Sequence, residues 1–351
     1  MRRLIFHAAI QEATQLAMQL DSKVLCYGLG IDDPKRIFNT TQQLQELFGA
    51  DRVFDTPTSE NAMTGIGVGV ALGGYRPIMT HQRLDFFLLA MDQLVNSAAK
   101  WHYMFGGQNT VPIVIRLIIG RGWGQGSTHS QNLQSWFAHI PGLKVVTPAT
   151  AKDAKGLLLS SIFDDNPVVF LEHRWLHNSE SDVPEGDYRI PIGLANRIRK
   201  GRDVTIVGMS YMTVEAIRAA DFLNEYGISC DVIDLRTVRP IDWDSILQSV
   251  RMTSKLIALD CGMPTCSVAS EIIAKVSMDA FDALTYAPVR IANPDNPEPV
   301  SFGLTKNYHP DAISIVDAVA KMFNIVVDTN KLSLQSNHPH DVPGDWFKGP
   351  F

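Results

Sequence analysis

Cysteine is scarce, with four in 351 residues, at positions 26, 230, 261 and 266. These spacings match no common zinc pattern, and free buried thiols are expected in place of a disulfide scaffold. No run of about 18 apolar residues without charge occurs, so no transmembrane helix and no membrane partner are expected. The opening MRRLIFHAAIQEATQL lacks an unbroken apolar stretch and a small-residue cleavage site. It reads as the first helix of a folded domain, and Glu12 and Asp21 count against a transit peptide. Excess positive charge is also missing. The formal net charge of −6 argues against a nucleic-acid-binding surface. The glycine-rich segments carry no phosphate-loop pattern: GRGWGQGSTHSQ has no Lys-Ser or Lys-Thr after it, and GIGVGVALGG yields no GxGxxG. His139, His173 and His177 are not spaced as a transition-metal set. No short internal repeat and no low-complexity tract is present.

What the chain does have is an ordinary globular composition, 45% hydrophobic and 19% charged, and a length that suggests two domains. β-rich apolar segments alternate with helical ones. SKVLCYGLG, RVFDTP, RPIMT, VPIVIRLII, LKVVTPA and NPVVFLEH read as strands. Helices are expected over 34–49 (PKRIFNTTQQLQELFG), over 61–74, and over FFLLAMDQLVNSAAKWHYM and AKDAKGLLLSSIF. A second series follows, with strands at DVTIVGMS, SCDVIDLR, KLIALDCG and PVRIA separated by helices. This pattern predicts an α/β fold of two domains, each with a parallel sheet covered by helices. The expected divisions are a first domain over 1–180, a polar linker over 181–202, a second domain over 203–330 and a tail over 331–351. The tail, rich in Pro, Gly and aromatics, is a segment that docks on a partner or stays disordered.

Within DTPTSENAMTGIGVGVALGG (55–74) the single internal carboxylate is Glu60. A carboxylate at the head of so apolar a segment is expected where water is scarce, a setting in which a carboxyl can hold a proton near pH 7. Glycines 65, 69 and 73 recur every four residues, along one side of a helix. Each costs about 1 kcal/mol against alanine, so close packing against another helix is expected in return. His129 ends a loop with glycines at 120, 122, 124 and 126. Flanked by Ser127, Thr128, Ser130 and Gln131, it is not a core histidine, and its ordinary pKa suits proton exchange near neutrality.

These segments resemble the beta subunits of the thiamine-diphosphate-dependent first components of 2-oxo acid dehydrogenase complexes, in the transketolase-like superfamily. The resemblance runs through GGYRPIMTHQRLDFFLLAMDQLVNSAAKWHYMFGG, VPIVIRLIIGRGWGQGSTHSQ, HIPGLKVVTPATAKDAKGLL, DDNPVVFLEH, VTIVGMSYM and DVIDLRTVRPID. It spans roughly residues 4 to 325 and implies a pyrimidine-binding domain followed by a transketolase C-terminal-like domain. By this resemblance Glu60 is the carboxylate that hydrogen-bonds the pyrimidine of the cofactor. Thr58 lies in the same pocket, Phe86 packs against the aminopyrimidine, and His129 faces the substrate end of the thiazolium. In THQRLDF the family's more acidic, phenylalanine-rich stretch is replaced, so His81 and Arg83 become candidates for contact with a substrate larger or more polar than pyruvate. Alternatively they make structural hydrogen bonds at a subunit interface. The resemblance further implies a potassium ion held by the backbone carbonyls of Ile113, Ser161, Ile162, Asp164 and Asn166.

The Gly-Asp-Gly that begins the pyrophosphate and magnesium site in this superfamily is absent. An alpha subunit carrying that site is therefore implied, together with a second beta subunit and a lipoyl acyltransferase as acceptor of the acyl unit. The implied reaction is decarboxylation of a 2-oxo acid. A two-chain transketolase-like or acyloin-forming enzyme with an aldehyde or sugar acceptor stands as the alternative, and a non-catalytic scaffold subunit as a second. The expected location is the cytoplasm, with mitochondrial matrix and plastid left open.

Overall fold

The computed structural model describes residues 1–122, 124–334, 338–347 and 349. Position 123 of the glycine loop, and positions 335–337, 348, 350 and 351 of the expected tail, lie outside the described residues.

The first half contains β1 (Arg2–Ile5), β2 (Val24–Gly28), β3 (Val53–Asp55), β4 (Arg76–His81), β5 (Val114–Ile119), β6 (Lys144–Val146), β7 (Val168–His173) and β8 (Glu180–Val183). The second half adds β9 (Asn196–Arg199), β10 (Val204–Gly208), β11 (Cys230–Asp234), β12 (Thr237–Arg239), β13 (Leu256–Leu259) and β14 (Val289–Ile291). A seven-stranded sheet runs β12-β6-β7-β5-β4-β2-β3 and a five-stranded sheet runs β14-β13-β10-β11-β9. Both are parallel except at one edge: β12 is antiparallel to β6, and β9 to β11. Central strands such as β5 (VIRLII) are buried throughout, as parallel strands covered on both faces must be. The one charge in β5, Arg116, is met by Glu172 of β7 in a fully buried two-point ion pair with contacts of 2.6 and 3.0 Å. A buried guanidinium is tolerable only with such a partner.

The helices that matter below are α1 (Phe6–Leu20), α2 (Glu60–Leu72), α3 (Ala151–Ile162), α4 (Tyr211–Asn224) and α5 (Ala312–Phe323). α1 packs on α3, and α5 on α4. Side chains cap two of these helices: Thr150 accepts from the Asp153 amide at the start of α3, and Asp311 forms a capping box with Ser314 at the start of α5.

Several expectations are corrected. The helix over 34–49 is absent. In its place stand two short turns, Arg36–Asn39 and Leu44–Phe48, and residues 36 to 39 all have positive φ. The chain turns there so that Phe38 reaches inward, its ring 4.4 Å from the guanidinium carbon of Arg174. The helix expected from Phe86 to Met104 is helical but broken into a turn at Leu84–Phe87, a 3₁₀ turn and a π segment over Gln93–Ala98, an irregularity frequent beside functional sites. The stretch 181–202 is not irregular throughout, since its residues enter β8 and β9. Conversely β12, from the second half of the sequence, completes the first sheet. Period-2 patterning marks a strand but not the sheet it joins. Cys26, Cys230 and Cys261 are buried, whereas Cys266 is exposed. Of the glycines on α2, Gly65 faces the Gln93 side chain at 3.4 Å and Gly69 faces open space, while the close approach falls on Gly67. A Cβ there would lie 2.1 Å from the Tyr27 hydroxyl oxygen. The described part of the tail packs back on its own chain: Trp346 Nε1 donates to Trp175 O at 2.8 Å.

Candidate active site at the carboxyl edge of the seven-stranded sheet

β2 has β3 on one side and β4 on the other, so the direction of winding reverses there. In open parallel sheets ligands bind beyond the carboxyl ends of the strands at such a reversal. Gly28 ends β2 with φ +156, and a Cβ on it would meet Thr80 O at 2.0 Å, so β2 and β4 close tightly only with glycine at this position. The Thr56 amide and hydroxyl both donate to Gly28 O, at 3.0 and 3.1 Å. That turn carries the chain from β3 to Glu60.

Glu60 is the first residue of α2 and is 7% exposed. α2 is fastened from below: Tyr27 Oη donates to Met63 O and Thr64 Oγ1 donates to Glu60 O, each at 2.9 Å. Among the described residues none hydrogen-bonds or ion-pairs with the Glu60 carboxylate. Neither carboxylate oxygen is sealed from solvent, so an entering group can reach them. Thr58, two residues earlier, is exposed.

Phe86 and His129 come from the loops after β4 and β5, and the fold brings them together. Their rings meet edge to face with centroids 5.3 Å apart. Gln131 Nε2 donates to Asp85 Oδ1 at 2.8 Å, joining the same two loops. His129 is exposed, and its Nδ1 lies 3.0 Å from Thr128 Oγ1. That contact occupies Nδ1 and leaves Nε2 without a hydrogen-bond partner among the described residues.

His81 and Arg83 sit beneath these loops. His81 is fully buried against Phe87, and burial pushes its pKa down to about 4, so it is neutral near pH 7. Arg83 is 2% exposed and donates to Gly120 O at 2.7 Å and to Gln125 Oε1. Burial, with the neighbouring Arg174 charge, lowers its pKa to about 9. Its guanidinium therefore ties down both ends of the glycine loop. The sequence reading missed the further residues that hold this loop. Ser127 Oγ donates to Glu298 O at 3.0 Å, and Arg121 lies between Glu298 and Asp341. These partners are 171 to 220 positions away, beyond any local signal.

Four of the five carbonyls expected to hold potassium accept a hydrogen bond from within the chain. Ile113 O accepts from the Val168 amide and Ser161 O from the Asp164 amide. Ile162 O and Asp164 O both accept from Arg76 Nη1, at 3.3 and 2.9 Å. A guanidinium thus already supplies positive charge to two of these oxygens. Among the described residues there is no His/Cys/Asp/Glu group that could hold a metal ion, and no helix long and apolar enough to cross a membrane.

Comparison with known proteins gives two family matches, the transketolase pyrimidine binding domain over residues 4–179 and the transketolase C-terminal domain over 193–315. The chain is 41% identical over 330 residues to the beta subunit of acetoin:2,6-dichlorophenolindophenol oxidoreductase of Cupriavidus necator, covering 91% of this chain and 97% of that one. It is 42% identical over 315 residues to the pyruvate dehydrogenase E1 component subunit beta of Rickettsia felis, covering 90% and 96%. The chain belongs to this family, the beta subunits of the first components of 2-oxo acid dehydrogenases. A mitochondrial pyruvate dehydrogenase E1 beta-1 subunit of Oryza sativa is 39% identical over 324 residues, covering 91% and 87%. Among solved structures, a split-gene transketolase in an inactive beta4 tetramer shares the fold at a TM-score of 0.73 and 22% identity, covering 92% of this chain and 99% of that one. As a beta subunit of a 2-oxo acid dehydrogenase, the chain places its three candidate residues after β3, β4 and β5 of the pyrimidine-binding domain.

Proposed function

We propose that this beta subunit supplies the pyrimidine half of a thiamine diphosphate site, and that an alpha subunit supplies the pyrophosphate and Mg²⁺ half. Glu60 carries the reading: it is buried at the winding reversal of the sheet, with no partner of its own among the described residues. In this role Glu60 accepts a hydrogen bond from, or shares a proton with, the pyrimidine ring nitrogen of the cofactor. When bound, thiamine diphosphate supplies the carbanion chemistry that cleaves the 2-oxo acid; orientation and electrostatics come from the protein. Thr58 lies at the rim of the same pocket. Phe86 covers the pyrimidine with an aromatic face. Its contact with His129 sets the direction in which Nε2 points. From there His129 hydrogen-bonds the substrate carboxylate or carbonyl oxygen and can move a proton at that atom. The burial of His81 and Arg83 supports a positioning role for both, through the loops above them, in place of direct substrate contact.

The substrate is a 2-oxo acid, and the acyl acceptor is the lipoyl group of an acyltransferase. A second beta subunit completes the assembly. The test is cofactor titration of the chain alone and with its co-purified partner, followed by turnover on a panel of 2-oxo acids. Thiamine diphosphate binding that needs the partner, and turnover lost in Glu60→Gln, are expected. Tight binding by the chain alone, or full turnover in Glu60→Gln, overturns the half-site reading.

A further inference from the structure

The segment 338–347 lies beyond both matched domains, the second of which ends at residue 315, yet it reaches the loop that carries His129. Two routes connect them. In the direct one, Arg121, the second residue of the glycine loop, is 2% exposed and has Asp341 Oδ2 and Glu298 Oε1 each 3.4 Å from its guanidinium nitrogens. Asp341 is itself 2% exposed. The indirect route runs through residues 298–305. His340 Nε2 lies 2.8 Å from Phe302 O and 3.2 Å from Thr305 Oγ1, with its ring 4.0 Å from that of Phe302. The same stretch presses on the loop from the other side. Glu298 O accepts from Ser127 Oγ, and a Cβ on Gly126 would meet Val300 Cγ2 at 2.2 Å. Trp346 anchors the far end on Trp175 O.

We infer that the 338–347 segment is a built-in brace for the His129 loop, and that Asp341 is a positioning residue acting through Arg121. The loop needs one. Its alternating glycines leave it conformationally free, and a catalytic group displaced by about 1 Å can lose about a hundredfold in rate. A buried guanidinium with two carboxylates at 3.4 Å is held in place by charge. With Asp341 gone, the carbonyls of Pro299 and Val300 remain to Arg121 at 3.4 and 3.5 Å, but Glu298 is its one remaining carboxylate, and His309 Nε2 lies 2.9 Å from the same carboxylate oxygen.

The inference rests on the proposed role of His129 only for its kinetic arm. The experiment uses the purified assembly in four forms: intact, ending at residue 337, Asp341→Asn, and Asp341→Glu. Hydrogen–deuterium exchange is followed over 120–131 and 298–305, with α4 as internal reference, and kcat and KM are measured for the accepted oxo acid. Expected are severalfold faster exchange in both segments for the truncated and Asn forms, unchanged exchange in α4, and partial restoration by Glu. kcat is expected to fall about ten- to hundredfold at nearly constant KM. Exchange over 120–131 that does not change overturns the brace. A loosened loop with unchanged kcat overturns the positioning role. If the intact assembly has no thiamine-dependent turnover, the functional reading fails separately and the exchange comparison alone decides the brace. Should the truncated chain not fold, the Asn and Glu pair carries the test.

Discussion

The imidazole of His129 stands edge-on to the ring of Phe86, with the two planes at 88° and the centroids 5.3 Å apart. The residues are 43 positions apart in sequence, and only the pairing of β4 with β5 makes them neighbours. An edge-to-face pair is worth about 0.5–1.5 kcal/mol, enough to bias where an exposed histidine points. Phe86→Leu is accordingly expected to lower kcat several-fold and to leave the melting temperature nearly unchanged, because Phe86 is half-buried. His129→Ala is expected to cost about 10²–10⁴-fold. Steady-state kinetics of the two single variants and the double variant check the coupling. Additive losses would remove it.

Glu60→Gln keeps the shape and removes the charge. Turnover is expected to fall about 10²–10⁴-fold while the isolated chain keeps nearly the parent melting temperature, since no hydrogen bond or ion pair of the side chain is lost. A clear drop in melting temperature would show that Glu60 serves the fold instead.

Three histidines are buried in the neutral form. Burial holds His81 and His177 at about 4 and His173 at about 3. The unfolded chain takes up their protons as pH falls below about 6.5, whereas the folded chain does so only near 4 and below. Stability is therefore fully present above pH 6.5 and is lost between about 6.5 and 4, by up to about 1.4 kcal/mol per pH unit for each group. His81 is the cleanest test, because neither ring nitrogen has a hydrogen-bond partner. His81→Leu should flatten the dependence of melting temperature on pH over this window. Parallel profiles for parent and variant would refute it.

Gly67 and Gly69 are two residues apart on α2 and should respond oppositely to alanine. At Gly67 a Cβ would lie 2.8 Å from Ile113 Cδ1 as well as against Tyr27, so overpacking should cost about 1–3 kcal/mol. At Gly69 nothing lies within 4 Å, and Gly69→Ala should stabilise the isolated chain by about 0.5–1 kcal/mol. If this face receives a partner helix, the same change should weaken the assembly, measurable by sedimentation.

Cys266 is the exposed thiol, and burial raises Cys26 to about 11 and Cys230 to about 12. A thiol reagent at pH 8 should modify Cys266 first in the native isolated chain and the others only after denaturation. Fast labelling in Cys266→Ser would contradict the packing.

Much of the fold was legible in the sequence for a physical reason. Buried parallel strands read as runs of Val, Ile and Leu, as in VIRLII and VVFLE. Glu60 stood out as a candidate because it is the lone carboxylate in an apolar segment, and His129 because a glycine loop does not build a core. What the sequence could not decide depends on distance in space. On sequence Arg83 was open to substrate contact or to structural hydrogen bonds; in the fold it lies under the loop and donates to Gly120 O. The run 34–49 has helical composition, but tertiary contact between Phe38 and Arg174 outweighs the small propensity at stake. β12 joins the first sheet, and Asp341 reaches Arg121 across 220 positions, because long-range pairs are fixed by how layers pack and leave no local pattern. The sequence alone determined most of the strands, many of the helices and the residues with chemistry to offer. The tertiary structure decided which of those residues face outward and which hold them there.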